Sequence, residues 1–228
     1  QMCIRDRRYS LRALALLLGY PDAALRQQLP ALMDALDQEA AVPAVRRAEL
    51  RNLAANLSRR DPLDVEAQYV ETFDRGRATS LHLFEHVHGD SRDRGPAMVD
   101  LAQTYERAGL RLSAEELPDH LCVVLEFAST QPPQLAQDFL GEMAHILTAI
   151  FSALLQRGSP YAAALAAVLE LAGQRVQAVP FAADEPLDDS WAEPEAFDGC
   201  STKGQARPGE AQPIHIVRKA AASQGVTA

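Results

Sequence analysis

The stretch from Tyr69 to Arg94 carries the densest set of side chains able to do chemistry in this 228-residue chain. Within it, His82, Glu85, His86 and His88 lie close together. His82 and His86 are separated by four positions, the spacing at which two imidazoles on one helix can bind the same metal ion. Glu85 directly precedes the second histidine and does not follow the first, so the zinc-metalloprotease pattern is absent.

Two interpretations of this cluster remain open. In one, a helical metal-dependent hydrolase uses His82, Glu85 and His86. In the other, the same side chains hydrogen-bond a sharp junction between helices. Catalytic metal sites ordinarily take three protein ligands, and no second His-rich or Cys-rich segment supplies more in an obvious register. We therefore predict no metal site. We predict instead that a structural junction between helices is formed by His82, His88, Arg92, Asp93 and Arg94.

Tyr69 and Phe73 lie four residues apart, hence on one face of a helix. Phenylalanine is among the most frequently buried residues, which favours a core position for Phe73. The hydroxyl of Tyr69 needs a hydrogen-bond partner, and either a core or a partly open groove can supply it. We predict that the pair lines or supports an apolar groove.

Asp119 and His120 follow Pro118, where the pattern predicts that a helix begins. A carboxylate in the first turn of a helix interacts favourably with the macrodipole, which is the simplest explanation for Asp119. Alternatively, Asp119 and His120 hold two helical segments together beside a groove.

Helical periodicity runs through almost the whole chain, and we predict an all-α fold, a compact multi-helix bundle over residues 9–179. Ser10, Asp22 and Asp61 are predicted helix caps. Pro30 should kink or divide the second helix. On the helix that begins at Pro62, one stripe is expected to consist of Leu63, Glu66, Val70 and Phe73. One long helix is expected from Pro133 to Gly158, with an apolar face made of Leu135, Phe139, Met143, Ile146, Ile150 and Leu154.

Composition narrows the function classes. The net charge of −9 argues against a nucleic-acid partner, since phosphate binding needs clustered Lys and Arg. Residues 180–228 are acidic and rich in Pro and Gly, so we predict a disordered tail there. No apolar run approaches the roughly 20 residues of a membrane span. The three scattered cysteines fit a reducing compartment, and we predict a cytoplasmic protein without stable membrane insertion.

The segment from Tyr69 to Gly95, including Phe73-Asp74-Arg75-Gly76-Arg77 and Ser80-Leu81-His82-Leu83-Phe84-Glu85-His86-Val87-His88-Gly89, resembles the signature of the nitrate reductase molybdenum cofactor assembly chaperones, also called the nitrate reductase delta subunit family. Pro118-Asp119-His120 resembles a motif of the wider family of chaperones for twin-arginine-exported molybdoenzymes. The resemblance covers about Tyr9 to Val179.

The resemblance implies an all-α chaperone with neither catalytic activity nor a cofactor of its own. Such a chaperone binds the cofactor-free catalytic (alpha) subunit of respiratory nitrate reductase, including its N-terminal segment. It keeps that subunit competent for molybdenum cofactor insertion and complex assembly. Molybdenum cofactor biosynthesis proteins are further expected partners. The residues expected to bind or support the client are Tyr69, Phe73, Asp74, Phe84, Glu85, His86, Asp119 and His120.

Overall fold

A computed structural model describes residues 6–89, 91–113 and 116–180. All of these belong to one unit of the chain, Gln1–Asp184, and the predicted tail lies outside the described residues from position 181 onward. The described residues form ten α-helices and no strand, so the predicted all-α class is confirmed. The helices are α1 Arg8–Leu17, α2 Ala23–Glu39, α3 Ala44–Arg59, α4 Pro62–Phe73, α5 Leu83–Val87, α6 Arg94–Arg107, α7 Leu121–Thr130, α8 Pro133–Glu142, α9 Ala144–Gln156 and α10 Ala162–Leu171.

Two predicted caps are confirmed. The Asp22 carboxylate accepts a hydrogen bond from the backbone N–H of Leu25 at 2.7 Å and begins α2. Asp61 accepts from the N–H of Leu63 at 2.9 Å, and Pro62 is the first residue of α4. Each cap satisfies one of the N–H groups that the first turn of a helix leaves without an intrahelical partner.

The prediction that Ser10 caps the first helix is wrong. Ser10 lies inside α1 and is fully buried. The carboxylate of Glu39, at the end of α2, instead accepts the backbone N–H groups of Tyr9 and Ser10 at 3.0 and 2.7 Å. The first turn of α1 is thus satisfied by a side chain distant in sequence, which local spacing cannot reveal.

Proline does not divide α2, because the helix is continuous from Ala23 to Glu39 through Pro30. The long helix predicted from Pro133 to Gly158 is instead two helices, α8 and α9, bent by 67° with respect to each other. The break lies at Met143, whose ψ of 3° leaves the helical region. A straight helix from Pro133 to Gln156 would be about 36 Å long, so the bend lets both apolar halves pack on one core.

The main core lies around α1, α7, α9 and α10. Helix α1 packs against α2 and α7, and α10 packs against α9 and α3. Helix α10 is apolar on almost every side and almost wholly buried, as expected for a central helix. A smaller cluster of Leu101, Tyr105 and Phe127 joins α6 to α7.

Helix α4 turns a different face inward from the one expected. It buries Val65, Tyr69, Thr72 and Phe73, whereas Leu63 and Val70 remain exposed. Both stripes satisfy helical spacing. The buried one carries the two aromatic rings, which remove more apolar surface from water than Leu63 and Val70 would.

Within the described ranges, no single helix is long and apolar enough to cross a bilayer, although α8 and α9 reach that length together across their bend.

Candidate functional site

Two chain segments distant in sequence meet backbone to backbone at the centre of the site. The N–H of Leu83 donates to the carbonyl of Asp119 at 3.0 Å, and the N–H of Leu121 donates to the carbonyl of Leu81 at 2.8 Å. His82 and His120 face each other as an isolated antiparallel bridge. We call this arrangement, residues 80–88 with 118–121 and the side chain of Arg94 that contacts both segments, the junction.

The expectation that a helix begins at Pro118 is wrong, because α7 begins at Leu121. The hydroxyl of Tyr105 donates to the carbonyl of Pro118 at 2.7 Å, and Pro118 and Asp119 lie in a turn before the helix. Asp119 therefore does not lie in the first turn of a helix, and the macrodipole does not explain it. The second interpretation, a carboxylate that holds two segments together, fits its position.

Asp119 is completely buried, and its carboxylate receives hydrogen bonds from the facing segment of the junction. The backbone N–H of Phe84 donates to it at 3.1 Å, and Nδ1 of His82 lies 3.5 Å away. The guanidinium of Arg94 lies 3.9 Å from the same carboxylate. Burial by itself raises the pKa of Asp119, but His82, the Phe84 amide and Arg94 outweigh it and hold the pKa below its usual range. Asp119 in this conformation is a supporting residue that a client cannot touch.

His82 and His120, which face each other in the junction, have opposite pKa shifts. The hydrogen bond to Asp119 raises the pKa of His82 against the effect of burial. Burial lowers the pKa of His120, and the neighbouring His82 lowers it further. Their rings lie 4.9 Å apart, edge to face. At neutral pH the arrangement therefore favours a proton on His82 over one on His120.

Glu85 ties the short α5 to the rest of the junction. Its carboxylate accepts from the hydroxyl of Ser80 at 2.6 Å and lies 3.4 Å from the guanidinium of Arg94. Nε2 of His86 lies 2.9 Å from the carbonyl of Ser80. Arg77 donates to the carbonyl of Glu85 at 2.6 and 3.0 Å. Glu85 and His86 are half-buried, so the same side chains hold the loop and reach the surface.

The predicted junction residues are thus divided. His82 and Arg94 lie inside the junction, and half-buried His88 contacts the ring of Phe84 edge to face at 5.6 Å. Arg92 is exposed, and Asp93 is exposed and bonded to the hydroxyl of Ser91 in its own turn. The prediction that Arg92 and Asp93 hold the junction is wrong, because both lie on the solvent side of the turn that begins α6.

Tyr69 and Phe73 belong to the main core, which also includes Leu81, Leu83 and Leu121 of the junction. Their rings lie 4.8 Å apart, and both also pack edge to face against Tyr161. The hydroxyl of Tyr69 donates to the carbonyl of Leu18 at 2.8 Å, at the end of α1. Only 6% of Tyr69 and 4% of Phe73 is exposed. Burial of both rings argues against a groove-lining role in this conformation, and the groove-supporting role stays a prediction.

Tyr20 is a surface residue of the site that the sequence analysis missed. It is 49% exposed, packs edge to face on Tyr69 at 5.5 Å, and donates its hydroxyl to Glu66 at 3.1 Å. Asp74 raises the pKa of both Tyr20 and His120 as a lesser contribution, so its exposed carboxylate lies within electrostatic reach of both side chains. The sequence feature that could have identified Tyr20 is its position as an aromatic residue in the turn Gly19-Tyr20-Pro21-Asp22.

The three side chains proposed as metal ligands each contact a different group of this chain. His82 contacts the Asp119 carboxylate, Glu85 accepts from the Ser80 hydroxyl, and His86 contacts the Ser80 carbonyl. Across the part of the chain that the structure describes, no group of three or more His, Cys, Asp or Glu side chains is placed to hold a metal ion. These contacts favour the junction interpretation of the cluster over the hydrolase interpretation.

Comparison with known proteins bears on both fold and family. The fold is similar to a crystal structure from Archaeoglobus fulgidus described as a redox enzyme maturation protein, with a TM-score of 0.51, 21% identity and coverage of 73% of this chain and 94% of that one. At that identity the likeness concerns the fold alone.

Sequence relatives are closer. The chain is 44% identical over 194 residues to the nitrate reductase molybdenum cofactor assembly chaperone NarJ of Escherichia coli K12, covering 84% of this chain and 81% of that protein. It is 37% identical over 155 residues to the nitrate reductase-like protein NarX of Mycobacterium tuberculosis, covering 68% of this chain and 23% of that protein. The family model described as nitrate reductase delta subunit matches residues 21–167. The chain therefore belongs to the nitrate reductase delta subunit family.

Proposed function

We propose that this chain is a non-catalytic chaperone that binds the cofactor-free catalytic subunit of nitrate reductase, including its N-terminal segment, in the cytoplasm. It keeps that subunit competent for molybdenum cofactor insertion and complex assembly, with molybdenum cofactor biosynthesis proteins as further partners. The observation that carries the proposal is the 44% identity to the E. coli assembly chaperone over most of both chains.

The geometry of the junction supports a binding role. Buried Asp119, with part-buried His82 and Arg94 beside its carboxylate, fixes the backbone, and the outer part of the junction presents side chains to solvent. The exposed side chains near the junction are Tyr20 and Asp74, and His120 of the junction is half-exposed. A rigid interior beneath a small set of polar and aromatic surface groups is suited to recognising another polypeptide.

The proposed mechanism is a shift of the client's population. A chaperone that binds only the open, cofactor-free client stabilises that state, and the stabilisation grows as the chaperone concentration rises above the dissociation constant. Once the cofactor closes the client, the differential affinity disappears and the chaperone dissociates. This mechanism requires no catalytic group, only a difference in affinity between two client states.

Calorimetry with the catalytic subunit prepared in two forms, with and without its cofactor, tests this function. We expect at least tenfold tighter binding of the cofactor-free form, about 1.4 kcal/mol in binding free energy. Equal affinity for the two forms would contradict the mechanism. Absence of binding to either form would contradict the function itself.

The variant Asp74→Lys tests where on this chain the catalytic subunit binds. Asp74 is exposed at the C-terminal end of α4, where a cation is favourable to the helix dipole, so the variant should fold. We expect weaker binding of the cofactor-free subunit. The matched control is Asp100→Lys, an exposed carboxylate on α6, which should bind like the unaltered chain.

A further inference from the structure

A polar cavity lies between α4 and the turn that joins α9 to α10, outside the junction. Its volume is about 400 Å³. Helix α4 contributes Gln68 and Glu71, Arg75 follows that helix, and the turn contributes Arg157 and Ser159. We call this space the arginine cavity. It includes Arg75 of the motif Phe73-Asp74-Arg75-Gly76-Arg77, a residue for which the junction provides no role.

The guanidinium of Arg157 lies directly against the backbone of Gly76. A Cβ added at Gly76 would lie 2.7 Å from Nη2 of Arg157 and 3.5 Å from its Cζ. Gly76 has φ of −150°, an extended conformation that any residue adopts, so the backbone itself does not require glycine there. The missing side chain at position 76 is therefore what gives the Arg157 guanidinium room next to Arg75.

The arginine cavity is rich in hydrogen-bond donors. Arg157 takes part in none of the ion pairs that the described residues form. The amide oxygen of Gln68 accepts from the guanidinium of Arg60, which leaves the NH₂ group of Gln68 free to donate. Within the described ranges the hydroxyl of Ser159 is buried without a hydrogen-bond partner. Buried polar groups ordinarily have a partner, so an unpaired one calls for an explanation such as an absent ion or water.

Positive charge exceeds negative charge around this cavity. Arg75 and Arg157 line it, Arg60 adjoins it through Gln68, and Glu71 is the one carboxylate among the described residues of its lining. Glu71 lies 3.1 Å from Arg75, but their side chains are 65% and 72% exposed, so this ion pair is weak and a ligand can displace it. The local excess of cations contrasts with the net charge of −9 of the whole chain.

A single arginine in such a position has a simpler explanation. Arg157 directly follows α9, where a cation interacts favourably with the negative end of the helix dipole. The dipole does not explain why Arg157 approaches Gly76, or why it shares a cavity with Arg75 and two further donor groups. Paired guanidiniums are well suited to phosphate, whose oxygens accept bidentate hydrogen bonds from arginine.

We propose that the arginine cavity binds the phosphate group of a small molecule. Arg75 and Arg157 bind the phosphate oxygens, and the NH₂ group of Gln68 donates to them. The Ser159 hydroxyl is closed to solvent in this conformation and donates after a rotation about χ1. A phosphate fits better than a carboxylate because its charge of nearly −2 and its three oxygens can use both guanidiniums and a neutral donor. The volume lies within the range of small-molecule sites.

The first test is calorimetry on the full chain with inorganic phosphate, pyrophosphate and acetate, at one ionic strength set by chloride. We expect both phosphates to bind and acetate to bind far more weakly. Arg157→Gln should weaken binding of both phosphates at least about tenfold, because it removes a charged donor. The matched control is Arg59→Gln, an exposed arginine at the end of α3, which should bind like the unaltered chain.

The second test concerns the position of the guanidinium. In Gly76→Ala the new methyl group meets only the movable end of Arg157, so urea unfolding should show little change while phosphate binding weakens. Gly95→Ala is the control, because nothing lies within 4 Å of a Cβ added there. Arg157→Lys keeps the charge but loses the bidentate fork, so its affinity should lie between those of Arg157→Gln and the unaltered chain.

Four results would each overturn the inference. They are absence of binding by both phosphates, acetate binding as tight as phosphate binding, unchanged phosphate affinity in Arg157→Gln, and binding of inorganic phosphate without pyrophosphate. The last result would show that the cavity does not accept a phosphate group carried on a larger molecule. None of them bears on binding of the catalytic subunit, so the proposed function is tested separately.

Discussion

The carboxylate of Asp119 and the imidazole of His82, 37 positions apart in the chain, lie 3.5 Å from each other, and Asp119 is completely buried. This pair joins the segment before α5 to the segment before α7. Because Asp119 is buried, removal of this pair should weaken the whole junction and not only one surface contact.

Asp119→Ala should lower the free energy of unfolding by about 3–5 kcal/mol, because it leaves the Phe84 amide and Arg94 without their buried acceptor. Asp119→Asn keeps the size and an acceptor oxygen, so it should cost less. Urea unfolding followed by circular dichroism measures both. The control is Asp100→Asn on the exposed face of α6, and equal stability of this control and Asp119→Ala would contradict the structural role.

The pKa of His82 is raised by its hydrogen bond to Asp119, so protonation of His82 stabilises the folded state. The contribution is fully present below the unfolded pKa, about 6.5, and is lost as the pH rises through the higher folded pKa. The stability difference between the unaltered chain and His82→Asn should therefore be larger at pH 6 than at pH 8.5. His145→Asn, at an exposed position on α9, serves as the control; a flat difference for His82→Asn would refute the coupling.

Tyr69→Phe removes the hydroxyl that donates to the Leu18 carbonyl at 2.8 Å. We expect a loss of about 1–2 kcal/mol in the free energy of unfolding, because a buried acceptor loses its partner. Binding of the cofactor-free catalytic subunit by the folded variant should change little, since only 6% of Tyr69 is exposed. The control Tyr9→Phe, at a position that is 61% exposed, should leave stability unchanged. A variant that kept its stability but lost binding would instead place Tyr69 at the client surface.

Gly89→Ala tests the loop that follows α5. Gly89 has φ of +51°, and an added Cβ would meet the guanidinium of Arg77, which donates to the Glu85 carbonyl. We expect a loss of at least about 1 kcal/mol from the left-handed backbone alone. Gly141→Ala is the control, because its nearest neighbour outside the helix lies at an ordinary 3.7 Å and helix α8 should gain stability. Thermal unfolding measures the melting temperature of both variants. Similar changes in the same direction for Gly89→Ala and Gly141→Ala would contradict the expected backbone strain at Gly89.

The sequence by itself determined the helical class and several boundaries, because those depend on contacts between residues three or four positions apart. Asp22 and Asp61 cap their helices through N–H groups two or three residues away. The motif from Ser80 to Gly95 and the Pro118-Asp119-His120 segment were enough to indicate the family that the comparisons confirm.

Only the tertiary structure decided which of two equally well-spaced faces of α4 is buried, and that Asp119 lies inside and not at the surface. It also decided that Glu39 caps α1 from the end of α2 and that Arg94, but neither Arg92 nor Asp93, enters the junction. The physical reason is common to all of these. Helical spacing is satisfied by more than one face, and a charged group is buried only where partners distant in sequence converge to offset the cost of its desolvation.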